Sequence, residues 1–423
     1  MLRPVMNLRF NNWVARKTDS RIWLGVFFIA NLILVVSLVL LATSTSDNRP
    51  LLALLAAIAA IITIILTYFF SMSWRIANVT QNEQTGITTN SSLNGRGINV
   101  VAIGGGTGLP ATLRGLKAYT ENITAIVTVA DDGGSSGKLR RDLGILPPGD
   151  LRNNIAALAD NESLMTKLFQ YRFNAGDLEG HSFGNLLIAA LADITADGDS
   201  QGHNSLTVAL VETQRILNIK GRVLPSTLTD VVITAEIKLA NSERLIKVKG
   251  ESKIEEIDGH VNAVTLEPEH IPAYAPSVRA ILDADLIVIG PGSLYTSILP
   301  NLLVPEIVAA LRATDAFKIY VCNVATQPVE TSGYDVADHV IAMEKHVGRG
   351  TFHAVIANNT YPQLNAGITQ YVPPAPKHSE IYQRYDVYYT DLTDESRPWR
   401  HDSSKLARAI THLFKPQQAM GIM

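Results

Sequence analysis

The alternation of apolar and polar positions divides the chain into three stretches of different character. Ile22–Ala42 and Leu51–Phe70 are apolar runs free of charge, each about as long as the hydrocarbon core of a bilayer asks of a helix, and they are separated by the polar turn Ser46–Pro50. Ile76–Gly97 is dominated by Asn, Thr, Ser, Gln and Gly with no apolar period, which predicts a flexible tether. From Ile98 onward, short β-branched runs alternate with segments of helical spacing. Ile98–Ile103, Thr124–Ala130, Asp283–Ile289, Lys318–Val324 and Phe352–Ala357 read as buried strands; Ala111–Tyr119, Phe183–Ala192 and Ser404–Phe414 read as helices. Val231–Leu239, Arg244–Lys249 and Val261–Leu266 tend to alternate instead, as half-exposed strands do, and predict a β-rich insertion at about 222–270.

This pattern predicts a Rossmann-like α/β fold, a mostly parallel sheet with helices on both faces, preceded by a two-helix transmembrane hairpin. The expected organisation is a basic N-terminus over 1–21, the hairpin over 22–72, a linker over 73–97, a ligand-binding domain over 98–415 and a tail over 416–423. Arg3, Arg9, Arg16, Lys17 and Arg21 precede the first span and Arg75 follows the second, whereas the turn between them holds only Arg49. By the positive-inside rule both ends face the cytoplasm, and Trp23, Tyr68 and Trp74 fall where an aromatic belt belongs. The expected location is therefore the cell membrane, multi-pass, with the main domain in the cytoplasm.

Composition narrows the function. The net charge of −3, with no basic stripe carrying aromatics, argues against nucleic acid. The single cysteine, Cys322, lies in an apolar run and reads as a small core residue.

The chemistry concentrates at the ends of the apolar runs. Gly104, Gly105, Gly106, Thr107 and Gly108 follow the first strand and lead to Pro110, a residue suited to the first turn of a helix. Such a turn aims backbone amides and the positive end of a helix dipole at an anion. Gly106-x-Gly108-x-x-Ala111 fits the dinucleotide fingerprint, with Asp131 and Asp132 closing the next run. Beside those acids stand Gly133, Gly134, Ser135, Ser136, Lys138 and Arg141, then Asp150, Arg152 and Asn153; carboxylates suit sugar hydroxyls or a divalent ion, and the basic and hydroxyl groups suit a diphosphate. Ser182 is a candidate helix cap that leaves His181 and Asn185 at the helix mouth. A second glycine turn, Gly290-Pro-Gly292-Ser293, runs into Tyr295, Thr296 and Ser297. Two such turns at strand ends imply one crevice, and Asn323, Thr326, Gln327, Asn358 and Asn359 end the later strands, as ligand contacts or as caps.

Five segments in this order, Ile103-Gly-Gly-Gly-Thr-Gly, Asp131-Asp-Gly-Gly-Ser-Ser-Gly, Gly149-Asp-Leu-Arg-Asn153, His181-Ser-Phe-Gly-Asn185 and Gly290-Pro-Gly-Ser-Leu-Tyr-Thr-Ser297, resemble the YvcK family of gluconeogenesis factors, related to the CofD 2-phospho-L-lactate transferases. The resemblance runs from about Ile98 to the C-terminus. It implies a UDP-N-acetylglucosamine-binding regulator that supports cell shape and envelope growth on gluconeogenic carbon, and it carries Arg400 of Arg400-His-Asp402 into the site. The alternative it implies is a phospholactyl transferase with a nucleotide-activated donor, a deazaflavin acceptor and a divalent metal on Asp131 and Asp132. A nicotinamide dehydrogenase ranks third, since it explains neither the second glycine turn nor the basic cluster. The expected partners are the nucleotide sugar, the membrane and further copies of the chain.

Overall fold

The computed structural model describes residues 98–159, 164–195, 203–240, 242, 244–363 and 370–420. The two apolar runs of the expected hairpin and the tether lie outside them. Among the described residues no single helix is long and apolar enough to cross a bilayer.

The elements follow one another as β1 (Val100–Gly104), α1 (Leu109–Leu116), β2 (Ile123–Val127), α2 (Gly134–Leu143), α3 (Gly149–Leu158), α4 (Leu164–Gln170), α5 (Phe183–Ile194), α6 (His203–Ile216) and β3 (Arg222–Pro225). An excursion then runs through β4 (Val232–Leu239), β5 (Leu245–Lys249), α7 (Glu251–Glu255) and β6 (Gly259–Glu267). The chain returns through α8 (Ala275–Leu282), β7 (Leu286–Ile289), a π-helical turn (Leu294–Ile298), α9 (Leu299–Leu302), α10 (Pro305–Ala313), β8 (Phe317–Val321), α11 (Val336–Val347), β9 (Ala354–Asn358), α12 (Ile381–Arg384), β10 (Asp386–Thr390) and α13 (Ser403–Met420).

Seven strands form one sheet in the order β10-β9-β8-β7-β1-β2-β3, and each pairing in it is parallel. Its central strands are buried along their whole length, as continuous apolar runs require. From β1 the chain steps outward to β2 and β3; from β7 it steps the other way to β8, β9 and β10. Right-handed crossovers put the helices of these two halves on opposite faces, with α1 packed on α3 and α13, and α8 packed on α10. The strand order therefore reverses between β1 and β7, so both glycine turns open at one topological switch point.

Two boundaries differ from the sequence pattern. Arg222–Pro225 is a parallel edge strand of the main sheet rather than the start of the insertion; its pairing with β2 decides its place where four residues carry no period. The insertion proper is the antiparallel sheet β5-β4-β6. β10 escapes the apolar-run reading because it is the half-exposed sheet edge. Ser182 caps α5 as expected, accepting from the Asn185 amide at 3.2 Å, and Asp402 accepts from the Lys405 amide at 2.7 Å at the start of α13. Cys322 is fully buried and burial pushes its thiol well above the ordinary range.

At Gly108 the first glycine turn lies directly against the second. A Cβ there would stand 2.6 Å from the Pro291 carbonyl oxygen and 2.7 Å from Gly292 Cα, backbone that has nowhere to withdraw. Gly108→Ala is expected to lower stability by about 1–3 kcal/mol in urea denaturation; an unchanged midpoint would show that the turns are free to separate.

Candidate functional site

The switch point is built from locked loops. Asn301 Nδ2 donates to Gly104 O (2.9 Å) and Ser297 O (2.8 Å), tying β1 to the π-helical turn. Asn323 clamps the second glycine turn from both sides, its Oδ1 accepting from Gly292 N (3.2 Å) and its Nδ2 donating to Gly292 O (2.9 Å). Gln327 Nε2 donates to Ser293 Oγ (2.7 Å). Buried Glu330 accepts from Tyr295 N and from Thr296 Oγ1, both at 2.9 Å. Asp150, in the first turn of α3, accepts from the Gly106 amide. Three backbone donors that the glycine pattern offers to a ligand, those of Gly106, Gly292 and Tyr295, are thus already engaged by side chains of the chain itself.

A cavity of about 320 Å³ opens beside these turns, walled by Thr107 and Gly108 of the first and by Pro291, Gly292 and Ser293 of the second. Asn323, Thr326 and Gln327 form the wall beyond β8. Asn358 takes no part; its Oδ1 accepts from Leu392 N (3.1 Å) and its Nδ2 from there bonds the Thr360 carbonyl, so it braces the end of β9. Arg114 from α1 and Arg397 and Arg400 from the loop before α13 converge on the cavity, with Trp399 half exposed on its lining. Burial lowers the pKa of Arg114, and the charges of Arg397 and Arg400 add to that effect. The one acid in the lining, Asp394, is occupied by Ser396 Oγ (2.6 Å) and by the amides of Ser396 (2.9 Å) and Arg397 (2.8 Å). The cavity is therefore a cationic one. Next to Arg400, His401 donates from Nε2 to the Cys322 carbonyl (3.1 Å), and burial drives its pKa down to about 4, so it is neutral at physiological pH.

The remaining sequence-predicted residues gather elsewhere. Asp131, Asp150, Glu251 and Glu330 are near enough to raise one another's carboxyls or that of Glu251, with burial the larger cause; Asp150 and Glu330 are each pushed up to about 7. Ser135, at the start of α2, bonds His181 Nδ1 (3.2 Å) and accepts from Asn185 Nδ2 (3.1 Å). Arg152 Nη2 donates to Asn153 Oδ1 (2.7 Å). Lys138 and Arg141 lie on the exposed side of α2. Asp132 Oδ1 accepts from Ser252 N (2.9 Å) and Ser252 Oγ (2.7 Å), fastening α7 of the insertion. His346 fastens the insertion at α11. Its Nδ1 bonds the Ala342 carbonyl (2.7 Å), which leaves Nε2 to accept from Val264 N in β6 (3.0 Å). Among the described residues no group of three or more His, Cys, Asp or Glu is arranged to hold a metal.

Comparison with known proteins fits this geometry. The family model for 2-phospho-L-lactate transferase CofD matches residues 100–408. The chain belongs to the CofD family. Within it, the gluconeogenesis factor of Bacillus subtilis is 49% identical over 323 residues, 75% of this chain and 98% of that protein. A relative from Nostoc sp. is 53% identical over 273 residues, but the match spans only 57% of that protein's length, as a match to a Clostridium acetobutylicum relative spans 56%. The crystal structure of a UPF0052 family member from Bacillus halodurans superposes with a TM-score of 0.67 at 39% identity, covering 75% of this chain and 99% of that one.

Several site residues of this CofD-family chain carry no motif. Glu330 and Glu251 are isolated acids in the sequence, and only the fold brings them to the switch point and to Asp131. Arg114 reads as an ordinary helix-surface arginine. Arg397-Pro-Trp-Arg400 is the legible signal, a second cation and an aromatic just before Arg400.

The raised carboxyls fix a sign for pH dependence. A folded-state pKa near 7 against about 4 unfolded means that the native state binds more protons through that window, so these groups cost stability as pH rises from about 4 to 7 and no more beyond it. Glu330→Gln keeps an acceptor for Tyr295 N and removes the titration. Between pH 5 and pH 8 the melting temperature of the variant is expected to rise relative to wild type, by the equivalent of on the order of 1 kcal/mol or more; parallel profiles in scanning calorimetry would contradict the assignment. Asp132→Ala is expected to speed amide exchange in residues 251–255 several-fold while leaving β1 and β7 protected.

Proposed function

We propose that the chain is a membrane-anchored regulator, facing the cytoplasm, that binds a UDP-sugar, UDP-N-acetylglucosamine, and supports cell shape and envelope growth under gluconeogenic conditions. The observation that carries this reading is the cationic cavity at the switch point, where Arg114, Arg397 and Arg400 face the two glycine turns. A diphosphate bears the charge and the planar oxygen faces that guanidinium groups bind in pairs. Asn323 and Gln327, whose amides are engaged with the second glycine turn and with each other, hold that wall in shape, and Trp399 offers a stacking face. Ser293 in the cavity wall is hydrogen-bonded by an amide rather than by a base, which favours binding over covalent chemistry. The kinship with the B. subtilis gluconeogenesis factor agrees with a metabolic role, and the charge-free runs Ile22–Ala42 and Leu51–Phe70 support the anchor.

Titration calorimetry of UDP-N-acetylglucosamine into the 423-residue chain tests the ligand. Binding is expected, with Arg397→Ala and Arg400→Ala each weakening it about tenfold or more, as loss of a charged hydrogen bond does. Absence of heat with every UDP-sugar sinks the proposal. For the anchor, reporters fused at Asp47 and after Met423 are expected on opposite sides of the membrane; signals from one side refute the hairpin.

A further inference from the structure

Helix α5 departs from the pattern of a surface helix, which confines its apolar side chains to one stripe. Its twelve residues carry a single charge, Asp193, and are apolar all round. Ile188, Ala189 and Ala192 face the core and are buried. Leu186, Ala190 and Ile194, spaced by four, form an outward stripe that the fold leaves open, with Ile194 70% exposed. A helix apolar on every side belongs inside a core, so the outward stripe of α5 calls for a cover that the fold itself does not supply.

The neighbouring helices extend the same surface. α4 and α6 both pack on α5, which lies between them. α4 turns outward Leu164, 81% exposed, and Leu168, followed by Tyr171; α6 turns outward Val208 and Val211, the latter 59% exposed. With Met165 and Ile194 these side chains leave on the order of 700 Å² of apolar surface uncovered, at roughly 200 Å² per complete side chain. The largest apolar patch of an ordinary monomer is about 300–600 Å², whereas a stable interface takes about 800 Å² from each partner. The surface on α4–α6 is of the second size.

The charges beside the stripes decide what covers them. Lys167 and Arg215 stand there, and so do Asp193 and Glu212, each at least partly exposed. An anionic lipid surface repels the two acids. A second copy of the chain, turned about a two-fold axis, meets both signs with both signs, as a self-complementary surface requires. Ala190 is the smallest side chain of the α5 stripe and lies at its middle, where two helices crossing on the axis come closest.

We propose that this face joins two copies of the chain, α5 against α5 across a two-fold axis at Ala190, with α4 and α6 of each copy flanking the contact. None of its residues lines the cationic cavity, and the inference rests on neither the UDP-sugar nor the membrane-anchor reading.

Light scattering of the 423-residue chain in detergent micelles, coupled to size exclusion, tests the interface. A protein mass of twice 45.9 kDa is expected at micromolar concentration. Ile194→Glu and Val211→Lys replace exposed side chains and are expected to keep the melting temperature of the monomer fold while raising the dimer dissociation constant about tenfold or more. Ile341→Glu, on α11 and 51% exposed, is expected to leave it within a factor of about three. Because Cys322 is fully buried, Ala190→Cys supplies the accessible thiol, and mild oxidation is expected to link two copies through it, whereas Leu282→Cys on α8 gives no such link. A chain that stays monomeric at every concentration overturns the proposal. So does a dimer that survives Ile194→Glu and Val211→Lys and resists linkage through Ala190→Cys, since it then assembles elsewhere. A monomer whose fluorophore on Ile194→Cys is quenched by doxyl lipid in vesicles assigns the face to the bilayer and overturns it as well.

Discussion

Everything at the candidate site rests on one contact, the approach of Gly108 to the Pro291–Gly292 backbone across the β1–β7 switch point. A parallel sheet that reverses its winding leaves a gap above the two central strands, since the connections diverge to opposite faces. Here two glycine turns close most of that gap; Asn301 ties the first to the π-helical turn that follows the second, and Asn323 clamps the second. What is left open is the cavity at one flank, walled by both turns. Any side chain at Gly108 wedges the turns apart and displaces the cavity wall with them.

The second constraint is electrostatic. Glycine turns present backbone donors, and buried donors must be met. The chain meets several with its own carboxylates, Asp150 on the Gly106 amide and Glu330 on the Tyr295 amide. Those acids sit at low dielectric near other acids, so protonation relieves them, and they act as ligands that never leave. Positive charge is displaced to two outlying positions, the arginines of the cavity and Arg152 with Arg172.

Much of the fold is legible in the sequence because parallel strands buried on both faces have to be continuous apolar runs, as Val100–Gly104 and Leu286–Ile289 are. Edge strands lose that signature: Arg222–Pro225 is short and mixed, and Asp386–Thr390 is half exposed. The glycine motifs point to the switch point correctly, and the insertion announces itself by alternation. Partnership is what the sequence does not carry. Asp131 and Asp132 are adjacent and alike on paper, yet one turns inward beside Asp150 and the other reaches sideways to Ser252. Likewise Glu330 follows a residue of positive φ, Val329, in a loop without any motif, and reaches the second glycine turn only through the fold.

The cavity is also a statement about order of assembly. Its walls come from the first strand–helix unit of the domain, Thr107 to Arg114, and from the last loop before α13, Arg397 to Arg400, with β7 and β8 between. On a ribosome the opening glycine turn emerges long before the arginines that complete it, and the Gly115 region of α1 waits for Ser403 and Ala407 of α13 to cover it. Contacts so distant in sequence form late in folding, because loop closure comes before they can add stability. A chain cut short before Arg397 can hold its parallel core and still lack Arg397 and Arg400 of its cationic wall, so the cavity is closed only by the last loop and helix to be made.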